Sequence, residues 1–331
     1  MTEPVLRLRD VVVRFPVAQG IVGLFAPKDQ RSVQAVAGVT LDVMRGETLA
    51  IVGESGSGKT TLARAINGLL PIASGEAWFR GNPLHNGPDW TAVRREMAMM
   101  FQDPVGSLSP RKSVRDLVLE PRIIHGLPLE NATETATQVL AMAGLGPQFL
   151  ARYPHELSGG QARRVGVARA LSLNPALILA DEPTAGLDVS IQGEILNLLN
   201  RNRVRDGLAT LIITHNLNIL RHVADRVAVM YLGRIVEIGP IEAVLAAPAH
   251  PYTAALLSAN PELDPRARRA RIRLRGETPG LRDRPSGCEF HPRCSHARPE
   301  CAQRAPLLVP SAGSTHAACH FPLQNDNGSR P

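Results

Sequence analysis

Apolar residues follow two rhythms along this chain: short runs that are massed or alternate, and stretches spaced by three or four. Residues 5–15 (VLRLRDVVVRF) alternate and then turn β-branched, which predicts a strand. Residues 16–31, with Pro16, Gly20, Gly23 and Pro27, read as a long loop. Strand character resumes over 32–43, broken at Gly38, and a turn at 45–47 leads into 48–52 (TLAIV), a run suited to a buried parallel strand. Helical spacing follows over 61–66, then a glycine-bounded strand at 75–81 and another at 97–101. Residues 112–156 change character: Ser113 is placed to cap a helix over 115–124, and 130–143 is an alanine-rich helical stretch. From Ser158 the alternation returns, with helices over 160–173, 190–205 and from Asn216. Strands are expected at 177–180, 209–214, 227–231 and 234–238. This order predicts an α/β domain whose parallel sheet is covered on both faces, with a helical insertion inside it.

Composition narrows the class without defining it. At 331 residues and 44% hydrophobic content, there is room for one large domain or two modest ones with an ordinary core. Met1-Thr2-Glu3-Pro4 is not a basic-then-apolar leader, and no apolar run approaches the length of a membrane span. The expectation is a soluble cytoplasmic protein that meets a membrane only through a partner. The net charge of +7 is uneven, with 25 Lys+Arg against 23 Asp+Glu over 1–260 and 12 against 7 over 261–331. Its densest part is Arg266, Arg268, Arg269, Arg271, Arg273 and Arg275. With no aromatic residues interleaved for base stacking, this run reads as a solvated connecting segment rather than a nucleic-acid surface.

Candidate chemistry centres on Gly53-Glu54-Ser55-Gly56-Ser57-Gly58-Lys59-Thr60-Thr61, which fits G-x-x-x-x-G-K-[ST] between a predicted strand and a predicted helix. The glycines let backbone N–H groups curl around one anion, and the following helix aims its positive end at the same point. Lys59 would neutralise the outer phosphates of a nucleoside triphosphate, and the Thr60 hydroxyl would join a Mg²⁺ shell. Residues 177–182 (LILADE) supply the second half: an apolar strand brings Asp181 to the metal and Glu182 to an attacking water. Residues 157–161 (LSGGQ) open a helix, with Ser158 as N-cap and Gly159 and Gly160 leaving N–H groups bare for a second anion contact. Two phosphate-facing loops in one chain suggest that the second completes the site of another copy or a homologue.

The ordered set of motifs resembles the nucleotide-binding subunits of ATP-binding-cassette transporters over roughly residues 5–245. Residues 53–61 are similar to the family's Walker A loop, 177–182 to its Walker B strand and 157–161 to its signature. Phe101-Gln102-Asp103 is similar to the Q-loop, Ala185-Gly186-Leu187-Asp188 to the D-loop and Thr214-His215 to the switch histidine. The resemblance implies a P-loop NTPase cassette: a RecA-like parallel-sheet core, an antiparallel β subdomain and a helical subdomain at about 104–160. Two cassettes would sit head to tail with two ATP molecules between them. Each ATP would be held by Walker A of one subunit and by Ser158, Gly159, Gly160 and Gln161 of the other. Glu182 would be the general base and His215 would bond the γ-phosphate. Gln102 would contact Mg²⁺ and the attacking water, Asp188 would signal across the dimer, and Phe15 aligns with the adenine-stacking aromatic or else belongs to the core. Taken alone, a His after a strand, as at His215, is more often a satisfied polar group than a catalyst; its place at the end of 211–214 (LIIT) is what raises it. Asn216 stands where many relatives carry Asp.

A narrower resemblance rests on residues 101–111 (FQDPVGSLSPR), 153–156 (YPHE) and the tail, which are similar to the oligopeptide/dipeptide (and nickel) uptake branch. It implies an ATPase energising solute import, with domains at 1–260 and 261–331. Its partners would be a paralogous ATPase, two transmembrane permeases and, indirectly, an extracytoplasmic solute-binding protein. The chain would lie peripherally on the cytoplasmic face of the membrane. The alternative is a non-membrane cassette acting on nucleic acid or translation, or in a soluble enzyme complex. All four cysteines, Cys288, Cys294, Cys301 and Cys319, fall in the tail without a C-x-x-C knuckle. They are open to a [4Fe–4S] cluster, to zinc (with His291, His316 or His320) or to no ligand. Arg293, Arg298 and Arg304 are candidates to balance thiolate charge.

Overall fold

The computed structural model describes residues 3–16, 32–100, 106–185, 189–259, 271–311 and 313–323. In chain order, β1 (Leu6–Pro16) and β2 (Ser32–Val43) pair before β3 (Thr48–Val52) runs into α1 (Lys59–Ile66). Next come β4 (Ser74–Phe79), β5 (Asn82–Pro83), α2 (Trp90–Glu96) and β6 (Met97–Met100). Three helices follow, α3 (Val114–Ile124), α4 (Ala132–Met142) and α5 (Gly159–Leu171). The α/β part resumes with β7 (Leu177–Asp181), α6 (Val189–Asp206), β8 (Ala209–Thr214), α7 (Leu217–Leu220), β9 (Arg226–Tyr231) and β10 (Arg234–Pro240). The described chain closes with α8 (Ile241–Ala246), α9 (Pro251–Ala259), α10 (Pro299–Gln303), β11 (Val309–Pro310) and β12 (His316–Ala317).

The main sheet has the order β11-β12-β10-β9-β3-β8-β7-β6, with β6, β7, β8, β3 and β9 parallel. A second, antiparallel sheet has the order β2-β1-β4-β5. Every residue of β3, β7 and β8 is buried, as their unbroken apolar runs require of strands covered on both faces. Side-chain alternation then divides the core. Leu49 and Ile51 pack with Leu62, Ile66, Leu179 and Leu211 on the face shared with the antiparallel sheet. Ala50 and Val52 pack with Val167, Leu171, Ile195 and Leu199 on the other.

The helical insertion has its own core, in which Leu117, Val118, Ala136, Leu140 and Val165 of α3, α4 and α5 meet. Ser113 caps α3 as expected, accepting the Asp116 N–H at 3.2 Å. The predicted break at Gly38 is not a break. Val11 faces Val39 and Val12 faces Ala37, so Gly38, at φ +82°, is the extra residue of a β-bulge and β2 runs through it. The predicted loop at 16–31 and Arg266, Arg268 and Arg269 fall mostly or wholly outside the described residues. Residues near the end of the chain join the main sheet: Ala317 and His316 of β12 face Glu237 and Ile238 of β10. Buried Glu237 also accepts the Ala249 and His250 N–H groups at the start of α9, at 2.7 and 2.9 Å.

Candidate nucleotide site

Three neighbouring parallel strands end at one place. β8 lies between β3 and β7, with Val52 facing Thr214 and Asp181 facing Ile213. The loop after β3, the Asp181-Glu182 pair and His215 therefore open side by side, where α/β sheets bind ligands. The loop leaves no room for side chains at Gly53 and Gly58. A Cβ on Gly58, at φ +101°, would stand 2.3 Å from the Ala35 carbonyl oxygen, and one on Gly53 would stand 2.2 Å from that of Met230.

Lys59 is 7% exposed, and its ammonium donates to the Gly53 and Glu54 carbonyls, both at 2.8 Å, and to Ser57 Oγ at 3.1 Å. Burial lowers its pKa, opposed by the nearby Glu182, Asp181 and Glu54 carboxylates. Ser57 is buried while Ser55 and Gly56 are exposed at the loop's outer rim, and Thr61 is half-buried on α1. Thr60 donates its hydroxyl to Asp181 Oδ1 at 3.1 Å. Burial raises the Asp181 pKa, the Thr60 bond opposes this, and neighbouring Glu182 adds to it. A buried carboxylate beside a threonine hydroxyl is a donor set suited to Mg²⁺.

Glu182 takes up a left-handed backbone, φ +48°, with its N–H held by the Ile213 carbonyl at 2.8 Å. Such strain in a non-glycine residue collects at working sites. Its Oε1 lies 3.1 Å from His215 Nδ1, on a ring whose side chain is 68% exposed. Asn216, the departure noted in the sequence, gives its N–H to Thr214 Oγ1 at 3.1 Å.

The signature stretch forms a reciprocal cap: the Gln161 N–H bonds Ser158 Oγ at 3.3 Å and the Ser158 N–H bonds Gln161 Oε1 at 3.0 Å. Ser158 and Gly159 are exposed. A Cβ on Gly159 would meet nothing within 4 Å, so nothing packed against it in this chain demands a glycine, whereas at Gly160 it would press on Ile191 at 3.2 Å. Phe15 is 39% exposed at the end of β1 and is not a core residue. Gln102 and Asp188, expected at the Q-loop and D-loop, lie outside the described residues.

Sequence reasoning missed three contacts. Buried Arg163 on α5 donates to the Pro183 and Ala185 carbonyls at 3.2 and 2.7 Å, tying the signature helix to the segment after Glu182. Tyr252, fully buried on α9, accepts the Glu54 N–H at 2.9 Å. Arg293, from the cysteine tail, makes a two-pronged ion pair with the Glu54 carboxylate at 2.7 and 3.0 Å. Two partners hundreds of residues apart leave no local signal. A basic residue beside a predicted cap, as at Arg163, is also unremarkable in a sequence.

The four cysteines line one void, bordered by His250, His291, His296 and His320. Backbone N–H groups of Phe290 and His291 favour the Cys288 thiolate, that of His296 the Cys294 thiolate, and that of Phe321 the Cys319 thiolate. Burial raises the thiol pKa values of Cys288, Cys294 and Cys319, the last to about 11. Among the described residues, no group of three or more His, Cys, Asp or Glu side chains is arranged to hold a metal ion. The arginines expected to balance thiolates are engaged elsewhere: Arg293 with Glu54, Arg298 over the Phe321 ring at 4.0 Å, and Arg304 with Glu300 at 2.8 Å. His291 Nδ1 and His320 Nε2 contact the backbone carbonyls of Cys288 and Arg304 at 2.9 and 2.7 Å.

A glycine-rich loop, a threonine–aspartate pair and a Glu–His pair at adjacent strand ends define a P-loop ATPase cassette. The ABC transporter family model matches residues 36–185, and a model for the oligopeptide/dipeptide transporter C-terminal region matches 236–301. The chain is 44% identical over 325 residues to the oligopeptide transport ATP-binding protein AppF of Bacillus subtilis, covering 96% of this chain and 98% of that one. It is 45% identical to OppF of Escherichia coli, covering 92% of each, and 40% identical to the dipeptide transport protein DppF of that organism, covering 100% and 98%. Among solved structures, the dimeric post-hydrolysis cassette MJ0796 bound to ADP and Pi is similar at 29% identity and a TM-score of 0.62, covering 71% of this chain and 98% of that one. The chain belongs to the ABC transporter family, as an ATP-binding, ATP-hydrolysing subunit. Subunits of this kind work with permease partners, and no helix among the described residues is long and apolar enough to cross a membrane.

Proposed function

We propose that this chain hydrolyses ATP to drive uptake of oligopeptides, dipeptides or similar small solutes through partner permeases. The observation that carries the reading is the convergence of Lys59, Thr60, Asp181, Glu182 and His215 at three adjacent strand ends. The peptide cargo is supported by the relatives' names and the matched C-terminal region. In the proposed mechanism, Lys59 leaves its loop carbonyls for the β- and γ-phosphates, and N–H groups of residues 55, 56 and 58–61 cradle them, that of Ser57 being bonded to the Glu54 carbonyl. Thr60 and Asp181 would hold Mg²⁺, which when bound would supply neutralisation of the developing phosphate charge. Glu182 takes a proton from water as the water oxygen bonds the γ-phosphorus. The bond from that phosphorus to the β–γ bridging oxygen breaks, leaving ADP and phosphate. His215, held by Glu182, bonds the γ-phosphate; Gln102 reports its presence towards the membrane.

Closure comes from a second subunit, a paralogue in this proposal. Each subunit's signature edge, Ser158 to Gln161 in this chain, covers the nucleotide held by the other, Asp188 signals between sites, and Phe15 stacks on the adenine. The exposure of Ser158, Gly159 and Phe15 supports this arrangement. Residues 1–260 form the nucleotide-binding unit, with the helical subdomain at about 104–160, and 261–331 form the extension. The assembly sits peripherally at the cytoplasmic face and receives cargo from an extracytoplasmic solute-binding protein. We further propose a [4Fe–4S] cluster at Cys288, Cys294, Cys301 and Cys319, supported by thiols around one void and by backbone N–H groups that favour three of the thiolates. The cluster would supply cross-linking of the tail rather than a reaction step.

Co-reconstitution with the paralogous ATPase and two permeases in liposomes tests the function. ATP-dependent accumulation of a labelled dipeptide is expected, and hydrolysis with no peptide dependence and no accumulation would refute the cargo. Iron and acid-labile sulfide in anaerobically purified protein test the cluster; zinc alone would overturn it.

A further inference from the structure

Glu54 presents a chemical problem to the site it occupies. A carboxylate in the second position of a phosphate-binding loop repels the polyanion that the loop must take up, and it attracts the ammonium of Lys59 that the polyanion needs. The fold answers with three contacts, two of them from beyond residue 270. Arg293 Nη1 and Nη2 donate to Glu54 Oε2 and Oε1 at 2.7 and 3.0 Å, and Thr278 Oγ1 donates to Oε2 at 2.7 Å. On the opposite side of the residue, Tyr252 holds the Glu54 N–H.

Arg293 is itself built in rather than adventitious. It is 7% exposed, ends a short 3₁₀ turn over His291–Arg293, and lies with its guanidinium carbon 5.9 Å from the centre of the Tyr231 ring. A fork-on-carboxylate pair fixes orientation as well as charge, which a lysine would not do as well. Burying a guanidinium is costly without a matched anion, and Glu54 is the carboxylate that both prongs engage.

We infer that Arg293 is a positioning residue of the triphosphate site: it cancels the Glu54 charge and pins that carboxylate to the tail, leaving Lys59 free for phosphate. The inference rests on the ATP reading above and adds that the C-terminal extension is part of the nucleotide site. A purely structural clamp would also use an ion pair here, but it would not tune affinity through the charge on Glu54.

The test is a charge cycle on the full chain, read by fluorescent ATP-analogue titration at low and high salt, by KM and kcat, and by thermal melts. Arg293→Met is expected to weaken nucleotide binding by about tenfold or more, raising KM with little change in kcat. Glu54→Gln is expected to tighten binding. Combining the two is expected to recover most of the loss, because the uncompensated carboxylate is gone. Arg293→Lys, which keeps the charge and loses the fork, should bind better than Arg293→Met and serves as the measured variant if Arg293→Met does not fold. Rising salt should narrow the gap between Arg293→Met and wild type. The inference is overturned if Arg293→Met binds as wild type, if the double variant binds as weakly as Arg293→Met, or if Arg293→Lys binds no better than Arg293→Met. If wild type itself fails to bind the analogue, the ATP reading falls instead.

Discussion

Replacing Glu182 by Gln and His215 by Ala, singly and together, tests whether their 3.1 Å contact is a working unit. Gln keeps the size of Glu182 and its backbone bond to Ile213, but it cannot accept the proton of an attacking water. A positioned general base contributes about 10²–10⁴-fold, or about 2.7–5.4 kcal/mol at 1.36 kcal/mol per factor of ten. Steady-state phosphate release by Glu182→Gln should fall by that factor. Nucleotide affinity, set by Lys59 and the loop, should move by less than about threefold. Removing the His215 ring should cost about 10²-fold or more. If the two groups act as one, the double variant should be no slower than the slower single variant, a coupling equal to the smaller single loss, about 2.7 kcal/mol or more. Phosphate release by coupled enzyme assay, with titration of a fluorescent analogue, measures both quantities. Wild-type turnover by Glu182→Gln would refute the assignment of the base. Fully multiplicative losses would refute the pairing.

Other consequences can be measured alongside. Gly58→Ala places a Cβ 2.3 Å from a backbone oxygen at φ +101°, so nucleotide binding should be lost and the melting temperature should drop, at a cost of about 1–3 kcal/mol or more. Tyr252→Phe strips the Glu54 N–H of its acceptor and should lower the urea-unfolding free energy by about 1–3 kcal/mol. Burial depresses the His250 pKa from 6.5 to about 4, so the unfolded chain takes up a proton that the folded one refuses. The contribution is therefore intact above pH 6.5 and is lost as pH falls towards 4, up to about 3 kcal/mol; urea midpoints that do not change across that window would contradict it. Ser158→Ala, combined with Ala at the paralogue's matching signature serine, should slow hydrolysis by the assembled pair while leaving analogue binding to a single subunit intact. Full-speed hydrolysis by that pair would reject closure by a second subunit.

The parts of the fold readable in advance were those whose causes are local. The runs 48–52, 177–180 and 209–214 became β3, β7 and β8 because an unbroken apolar strand has few stable places outside a covered parallel sheet. Ser113 and Ser158 became caps because a hydroxyl reaches an N–H only two or three residues on. Asp89 carried the same signal ahead of α2, accepting the Thr91 and Ala92 N–H groups, yet the short helix offered too little periodicity to be picked out. Gly38 misled because a glycine that breaks a strand and one that bulges it look alike without the partner strand. Lys59, Thr60, Asp181, Glu182 and His215 are each tied to a motif, so their meeting at neighbouring strand ends was legible. Arg293 was not, since its partner is 239 residues away and its neighbouring cysteines drew attention to metal chemistry.

One edge of the main sheet ends in β11 and β12, strands of only two residues each, the outermost carrying Pro310. A ladder that short, with a proline that offers no N–H, gives an approaching strand almost nothing to pair with. β10, by contrast, is seven residues long and mostly buried. A version of the protein trimmed at residue 260 would strip that cover and bare the outward hydrogen-bonding row of β10, inviting strand addition between molecules. The tail thus keeps the sheet from growing.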